Sequence, residues 1–536
     1  MQGLLPLTTA VHLNAPVAPG PHSYKPPSPS WSTVPWRVVT TILHFVAHGD
    51  DLHKTQLVNA THICRSWRSA ALLCPTLWTN IQVYATRGAA SRSHDRAAQF
   101  VARAARLPIS MSLGSVHLHR GWLEVIFRSF YWVQKFRIAS CTIAEEDLFF
   151  LHHILGSPAP LLAEVHLDLN QELSYSILPV SGLAQAPCLK FFSLCGQNSL
   201  PMLWSACSHW KTLTQMNLEV KTSDNSSAQL LDLDKVLDCL RSIKGTLEKL
   251  ALTHFGLCVP EGRPCRPVAL PRLKSLIMEG DSKDIILLLA HLDLEESTFL
   301  HLATEITDGD DIIDLFPLLG GRQERFVCLR FLSDAGDHIG LEAYRNSPGR
   351  GGDYSLMGEP PLKVHITCRD EHNVVSAGIQ VLRSVCGILP DKTLTVLDIT
   401  QLPHLERWDL QTWEYVLEGV QGIQELRVRG KVADQLCEVL GWWRPSVFGG
   451  LARGEHRQYF LPDLTDLVLE DVIPPECLPK CLQARAEAGC PLRSLRAALC
   501  GESEAEVNQW QELLRQVVDD LELRVSENSD GSVVCI

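Results

Sequence analysis

The chain has 536 residues, of which 46% are hydrophobic and 20% charged, with 48 Lys+Arg against 61 Asp+Glu and a formal net charge of −13. This length exceeds one ordinary domain and calls for several modules or a repeat array, and the composition excludes a disordered chain. The acidic balance argues against non-specific nucleic-acid binding, which needs a cationic surface.

Eighteen cysteines are scattered through the chain. Met1–Pro6 has no cationic start and prolines interrupt the region after it, so no secretory signal is expected. The apolar run Ile285–Leu289 is too short to span a bilayer. The expected setting is intracellular, cytoplasmic or nuclear, with reduced thiols.

Residues 1–30 are rich in Pro and Ser and are expected to be a disordered lead-in. A first module is expected at 31–85. Val38, Ile42 and Phe45 share one face of a helix over Val38–Val46, and Val39, Leu43 and Val46 share a neighbouring face. A segment this short cannot hide both. One face is expected to pack on Ile63, Trp67 and Ala71 of a later helix, and the other to want a partner.

The same stretch resembles the F-box, in the form common in mushroom-type fungi. The resemblance rests on Val34-Pro35, the amphipathic helix, the run Cys64, Arg65, Trp67, Arg68, and the closing Pro75, Leu77, Trp78. Arg37 stands where that family usually has an acidic residue, Leu43 where a Phe is common, and Ala60 where a Leu is. The resemblance implies a partner, the Skp-type adaptor of SCF (Skp–cullin–F-box) ubiquitin ligases, and through it cullin. It implies that Pro35, Val38, Ile42, Leu43, Phe45, Ile63, Cys64, Trp67, Leu77 and Trp78 form the adaptor-binding surface or the core beneath it.

Residues 86–112 read as a helical connector, Ala- and Arg-rich to 106, leading into a short strand over 107–113. From about 113 to 536 one pattern recurs: apolar, two others, apolar, one other, apolar. Clear copies include Leu162/Val165/Leu167, Leu213/Met216/Leu218, Leu273/Leu276/Met278, Phe326/Leu329/Phe331, Leu394/Leu397/Ile399, Ile423/Leu426/Val428 and Val518/Leu521/Leu523, with weaker ones at Val133/Phe136/Ile138 and Leu362/Val364/Ile366. The last two apolar positions alternate as a strand does. Helix-like stretches such as 231–243 and 434–443 lie between copies, and such units bury their apolar faces only by stacking. This resembles an irregular leucine-rich repeat. The expected fold class is therefore α/β, an all-helical F-box followed by a leucine-rich-repeat-like strand–helix solenoid. Two long loops, 345–361 and 443–463, interrupt the pattern.

No catalytic or metal motif appears. Cys258 with Cys265, and Cys477 with Cys481, lack a His/Cys set at zinc spacing. His117/His119 and His152-His153 read as surface or core histidines. Arg350-Gly351-Gly352 lacks the ending of a phosphate loop, and Asp308, Asp310 and Asp311 read as a solvated turn or helix start. No cofactor, nucleic acid or membrane partner is expected, and no enzyme activity. The resemblance implies substrate recognition within an SCF-type ligase, the repeat domain holding an unknown target protein; a scaffold without a role in ubiquitination is the alternative. In a leucine-rich repeat the positions between the core apolar residues face outward, and these include His166, Asp168, Asn217, Glu219, Lys249, Glu279, Arg330, Asp398, Arg427, Arg429 and Glu470. Arg427 and Arg429, two apart on one strand and so on one side, are candidate target-binding residues for an acidic or phosphorylated segment. The alternative for this pair is two solvated arginines paired with neighbouring strand acids.

Overall fold

The structure is a computed structural model. It describes residues 34–48, 53–84, 93–114, 117–169, 183–196, 209–220, 231–259, 266–306, 314–319, 326–333, 338–348, 354–368, 371–388, 394–402, 405–430, 433–441, 443–444, 458–473, 475–500 and 503–526. The expectations for 1–30, for Asp308, Asp310 and Asp311, and for Arg350-Gly351-Gly352 lie outside these. The chain divides into two compact units: residues 1–80 with 103–105, and residues 81–102 with 106–536.

The first unit is helical. Helix α1 spans Trp36–His48, α2 His53–Ala60 and α3 Arg65–Leu72. The Pro35 carbonyl accepts the Val38 and Val39 N–H groups and starts α1 two residues earlier than the apolar spacing indicates. Val39, Leu43 and Ala47, four residues apart, are buried along one stripe. Trp67, Ala70 and Ala71 of α3 are buried too, and a single turn over Pro75–Trp78 carries Leu77 and Trp78 into the same core. The Trp78 indole satisfies its N–H on the Ala71 carbonyl at 2.9 Å, and the Arg103 guanidinium stacks 4.6 Å from its ring centre. Ile63 departs from expectation. It precedes α3 rather than lying on it and is 49% exposed.

The second unit is α/β, built on one large, mostly parallel sheet of seventeen strands among the described residues. The strands are β1 Asn80–Tyr84, β2 Ile109–Gly114, β3 Val133–Ile143, β4 Glu164–Leu169, β5 Phe191–Gly196 and β6 Gln215–Val220. There follow β7 Lys249–Phe255, β8 Ser275–Asp281, β9 Phe299–Ile306, β10 Cys328–Leu332, β11 His338–Tyr344 and β12 Leu362–Cys368. The last are β13 Val396–Asp398, β14 Glu425–Arg429, β15 Asp466–Val472, β16 Ser494–Cys500 and β17 Asp520–Ser526.

From β2 to β9 each strand pairs in parallel with the next in the chain. The order then breaks. β9 pairs in parallel with β12, β12 antiparallel with β11, β11 antiparallel with β10, and β10 in parallel with β13. Chain order resumes through β17. The copies at Phe326 and Leu362 are therefore not adjacent, as a simple succession would make them. A reversed strand, β11, stands between them.

Within the sheet the recurring apolar positions align in register, and those of β2 to β16 are buried. This is the one-sided burial that alternating side chains permit. Helices fill the segments read as helical: Leu233–Ile243 and Ala433–Gly441. Some follow their strand directly. Asp281 ends β8 and its carboxylate accepts the Lys283 N–H at 2.9 Å, capping helix Ser282–Leu289. Arg485 in helix Leu478–Glu487 is fully buried, and its two terminal nitrogens donate to the Phe460 and Leu461 carbonyls at 2.8 Å. It anchors the end of the 443–463 segment, where Trp443–Arg444 pairs antiparallel with Gln458–Tyr459.

Candidate interaction surfaces

In the helical unit the two faces of α1 have different fates. Val39 and Leu43 enter the core, while Phe45 is 77% exposed and Val38 46% exposed; Ile42 is half-buried between them. Pro35 and Arg37 are exposed as well, and Cys64 is half-buried at the N-cap of α3 without a side-chain capping bond. Leu72 and Leu73, closing α3, also face solvent. The large apolar side chains Val38, Phe45, Ile63, Leu72 and Leu73 thus lie outside the core of the helical unit. The candidate residues accordingly separate into core (Leu43, Trp67, Leu77, Trp78) and accessible surface (Pro35, Val38, Phe45, Ile63), with Ile42 and Cys64 in between. Beside the core, His44 Nε2 lies 3.3 Å from Thr76 Oγ1 and 3.7 Å from Cys74 Sγ, fixing the turn Pro75–Trp78 to α1.

On the sheet, the positions between the core residues form a row across its open face. From β3 to β9 the row reads Arg137, His166, Ser193, Asn217, Ala251, Ile277, His301 in strict register. It is nearly uncharged after Arg137. Burial pushes the His166 and His301 imidazoles down; Arg137 adds to the effect at His166, and His365 at His301. Both are therefore held toward the neutral form.

From β12 to β14 the row changes character. Lys363, Glu342, Arg330, Asp398 and Arg427 stand at successive registers and alternate in sign. Glu342 lies 3.7 Å from both Lys363 and Arg330, and accepts the Tyr344 hydroxyl at 2.8 Å. Arg427 lies 4.0 Å from Asp398 and 2.6 Å from Glu425, and Arg496 on β16 reaches the same Glu425 at 3.4 Å.

This face is covered where the sequence suggests it is open. Tyr354, in the turn Tyr354–Met357 of the 345–361 segment, packs with Met357 against Cys328, Tyr344 and Val396. Its hydroxyl donates to Asp398 at 2.6 Å, and the Arg330 guanidinium sits 4.2 Å from its ring centre. Asp398 and Arg427 are consequently 3% and 5% exposed. Burial alone would lower the pKa of Arg427, but Tyr354, Glu425 and Asp398 around it outweigh that and hold it above the ordinary value.

The two candidate target-binding arginines, Arg427 and Arg429, therefore differ in accessibility. Arg427 is buried and neutralised on both sides, and Arg429 is accessible but bonded to Asp471 at 2.6 Å. The pairing with strand acids is as the alternative states; the solvation of Arg427 is not. Tyr354 is the residue missed in the sequence. Its only signal is an aromatic side chain inside a polar, Gly- and Pro-rich stretch.

Among the described residues no group of three or more His, Cys, Asp or Glu side chains could hold a metal ion, and no helix is long and apolar enough to cross a membrane. His119 instead caps helix Arg120–Ser129, its Nδ1 accepting the Gly121 N–H at 3.1 Å, and His153 packs on Phe127 and Phe150. Compared with the models of known protein families the chain matches none, and a search of curated proteins likewise finds no match.

Proposed function

We propose that this chain is a substrate-recognition subunit of an SCF-type ubiquitin ligase, its helical unit an F-box that binds a Skp-type adaptor and its sheet unit a leucine-rich-repeat-like solenoid that holds a target protein. The observation that carries this reading is the division of α1. Leu43 joins Trp67, Leu77 and Trp78 in the core while Val38 and Phe45 stay in solvent. A module of this size keeps such side chains exposed at a cost in solubility, and binding a partner offsets it. The chain's own task is then positioning, raising the concentration of a target beside the ubiquitin carrier, and the transfer chemistry belongs to other subunits.

The part of the open face from His166 to His301, an uncharged row flanked by Asp168, Glu219, Lys249 and Glu279, is the target-binding region this reading favours. The Arg427 region is self-neutralised and covered by Tyr354.

The test is co-purification of the chain with a Skp-type adaptor and cullin. Recovery of both supports the reading, and Phe45→Asp should abolish it without unfolding the helical unit. Failure to bind the adaptor would remove the ligase role. A scaffold without ubiquitination is the second reading, favoured by exposed Arg37 where the resembled family usually has an acid. A folded chain that recovers neither adaptor nor cullin would select it.

A further inference from the structure

Strand β17, Asp520–Ser526, pairs with β16 on one side, and no described residue pairs with its other side. The Asp520 N–H points inward, donating to the Arg493 carbonyl at 2.9 Å. Because backbone groups alternate along a strand, the N–H and C=O groups of Leu521, Leu523 and Val525 point outward to the free edge. Their side chains continue the core rows of the sheet, with Leu521 in register with Leu495 and Leu523 with Ala497. Both partners on β16 are buried, whereas Leu521, Leu523 and Val525 are only half-buried, and Leu513 on the adjoining helix Glu504–Leu514 is 47% exposed. Among the described residues the last strand thus lacks the neighbour that every inner strand has. An unpaired edge with an incompletely covered apolar side is a template for another strand.

We propose that the neighbour is a second copy of this chain, with the two β17 strands pairing antiparallel about a two-fold axis through Leu523. The strand is self-complementary about that residue. The axis sets Leu523 against its copy, Leu521 against Val525, and Glu522 against Arg524 in both directions, as an isologous interface requires. The outward-pointing residues 521, 523 and 525 form the hydrogen-bonded pairs. Glu522 and Arg524 then fall at non-hydrogen-bonded positions, where facing side chains approach most closely. In one chain these two already pair with each other, with 44% and 57% of their side chains exposed, so the exchange to the partner displaces no buried group. Two strands and their flanking helices bury less than a standard interface, so the dimer belongs to the weak, concentration-dependent class.

The experiment is sedimentation equilibrium of the full chain from about 1 to about 100 μM. The expected result is a shift from 59.7 kDa toward twice that mass. Glu522→Arg alone, or Arg524→Glu alone, places like charges opposite each other and should return the chain to monomer. The double exchange, Glu522→Arg with Arg524→Glu, should restore the dimer. Circular dichroism confirms that each variant is folded, and both side chains are accessible enough to be replaced. A wild type that is monomeric throughout the range overturns the proposal, whether the edge stays open or is taken by residues 527–536. So does a dimer that persists in both single variants, which would place the contact elsewhere, for example on the apolar face of α1.

Discussion

The Tyr354 hydroxyl and the Asp398 carboxylate meet at 2.6 Å, across 44 residues of chain, and hold the turn Tyr354–Met357 onto the outward face of β13. Tyr354→Phe removes that donor but leaves Asp398 accepting from the Thr400 backbone and hydroxyl. The expected loss is about 1.5–3 kcal/mol, as for a hydrogen bond to a charged group, measured by urea denaturation. Burial, with Asp398 beside it, pushes the Tyr354 phenol well above its ordinary value. The folded state therefore keeps a proton that the unfolded state releases near pH 10, so this contribution is complete below about pH 10 and is lost as pH rises above it. Tyr354→Phe should flatten that part of the alkaline decline. An unchanged slope would place the phenol in solvent.

Cys328 and Cys481 should be inert in the native protein. Burial pushes both thiols up to about 12. Alkylation with iodoacetamide at pH about 8.5, read by peptide mass spectrometry, should modify Cys188, which is exposed, and spare these two until denaturant is added. Their folded values lie above the unfolded one, so their contribution to stability is whole below about pH 9 and declines as pH rises toward 12.

Arg427 and Arg429 sit two apart on β14 yet should respond differently to charge reversal. Arg427→Glu buries a carboxylate beside Glu425 and Asp398 and removes their counterion. Breaking a buried pair in this way costs about 3–5 kcal/mol, and the variant should unfold at markedly lower temperature or fail to fold. Arg429 has 55% of its side chain exposed, so Arg429→Glu should cost no more than about 1 kcal/mol. Differential scanning calorimetry compares them directly. Equal melting temperatures would mean that Arg427 is not buried.

Leu43 and Phe45 make the same comparison within α1. Leu43 is fully buried, and Leu43→Ala should destabilise the helical unit by about 2–5 kcal/mol. Phe45 is 77% exposed, and Phe45→Ala should leave its stability within about 0.5 kcal/mol. Thermal unfolding followed by far-UV circular dichroism reads the difference.

Much of the architecture is legible in the sequence because burial in a helix or strand is one-sided and leaves a period. The spacing of Val39, Leu43 and Val46 locates α1, and the repeated apolar positions from Val133 to Leu495 pick out strand after strand whose core side chains are buried. The same spacing places Val38 and Phe45 on a different face of α1, and there they remain exposed. Ile63 was misplaced because a helix boundary is set by local backbone geometry, here the extended Cys64, which the apolar spacing does not encode.

By itself, then, the sequence determined which residues alternate, some of the helical segments, such as Leu233–Ile243 and Ala433–Gly441, and that the chain is α/β. Tertiary structure alone decided which strands are neighbours and what lies over them. Periodicity reports the side of a strand that faces the core, but it is identical for a strand running either way and for any order in the sheet. Hence the reversal of β11, and the pairing of β9 with β12 rather than β10, left no trace in the pattern. The burial of Arg427 has the same origin. A charged residue on the outward side of a strand reads as solvated unless a distant segment covers it, and the contact that holds Tyr354 there depends on the sheet placing Arg330, Asp398 and Arg427 side by side.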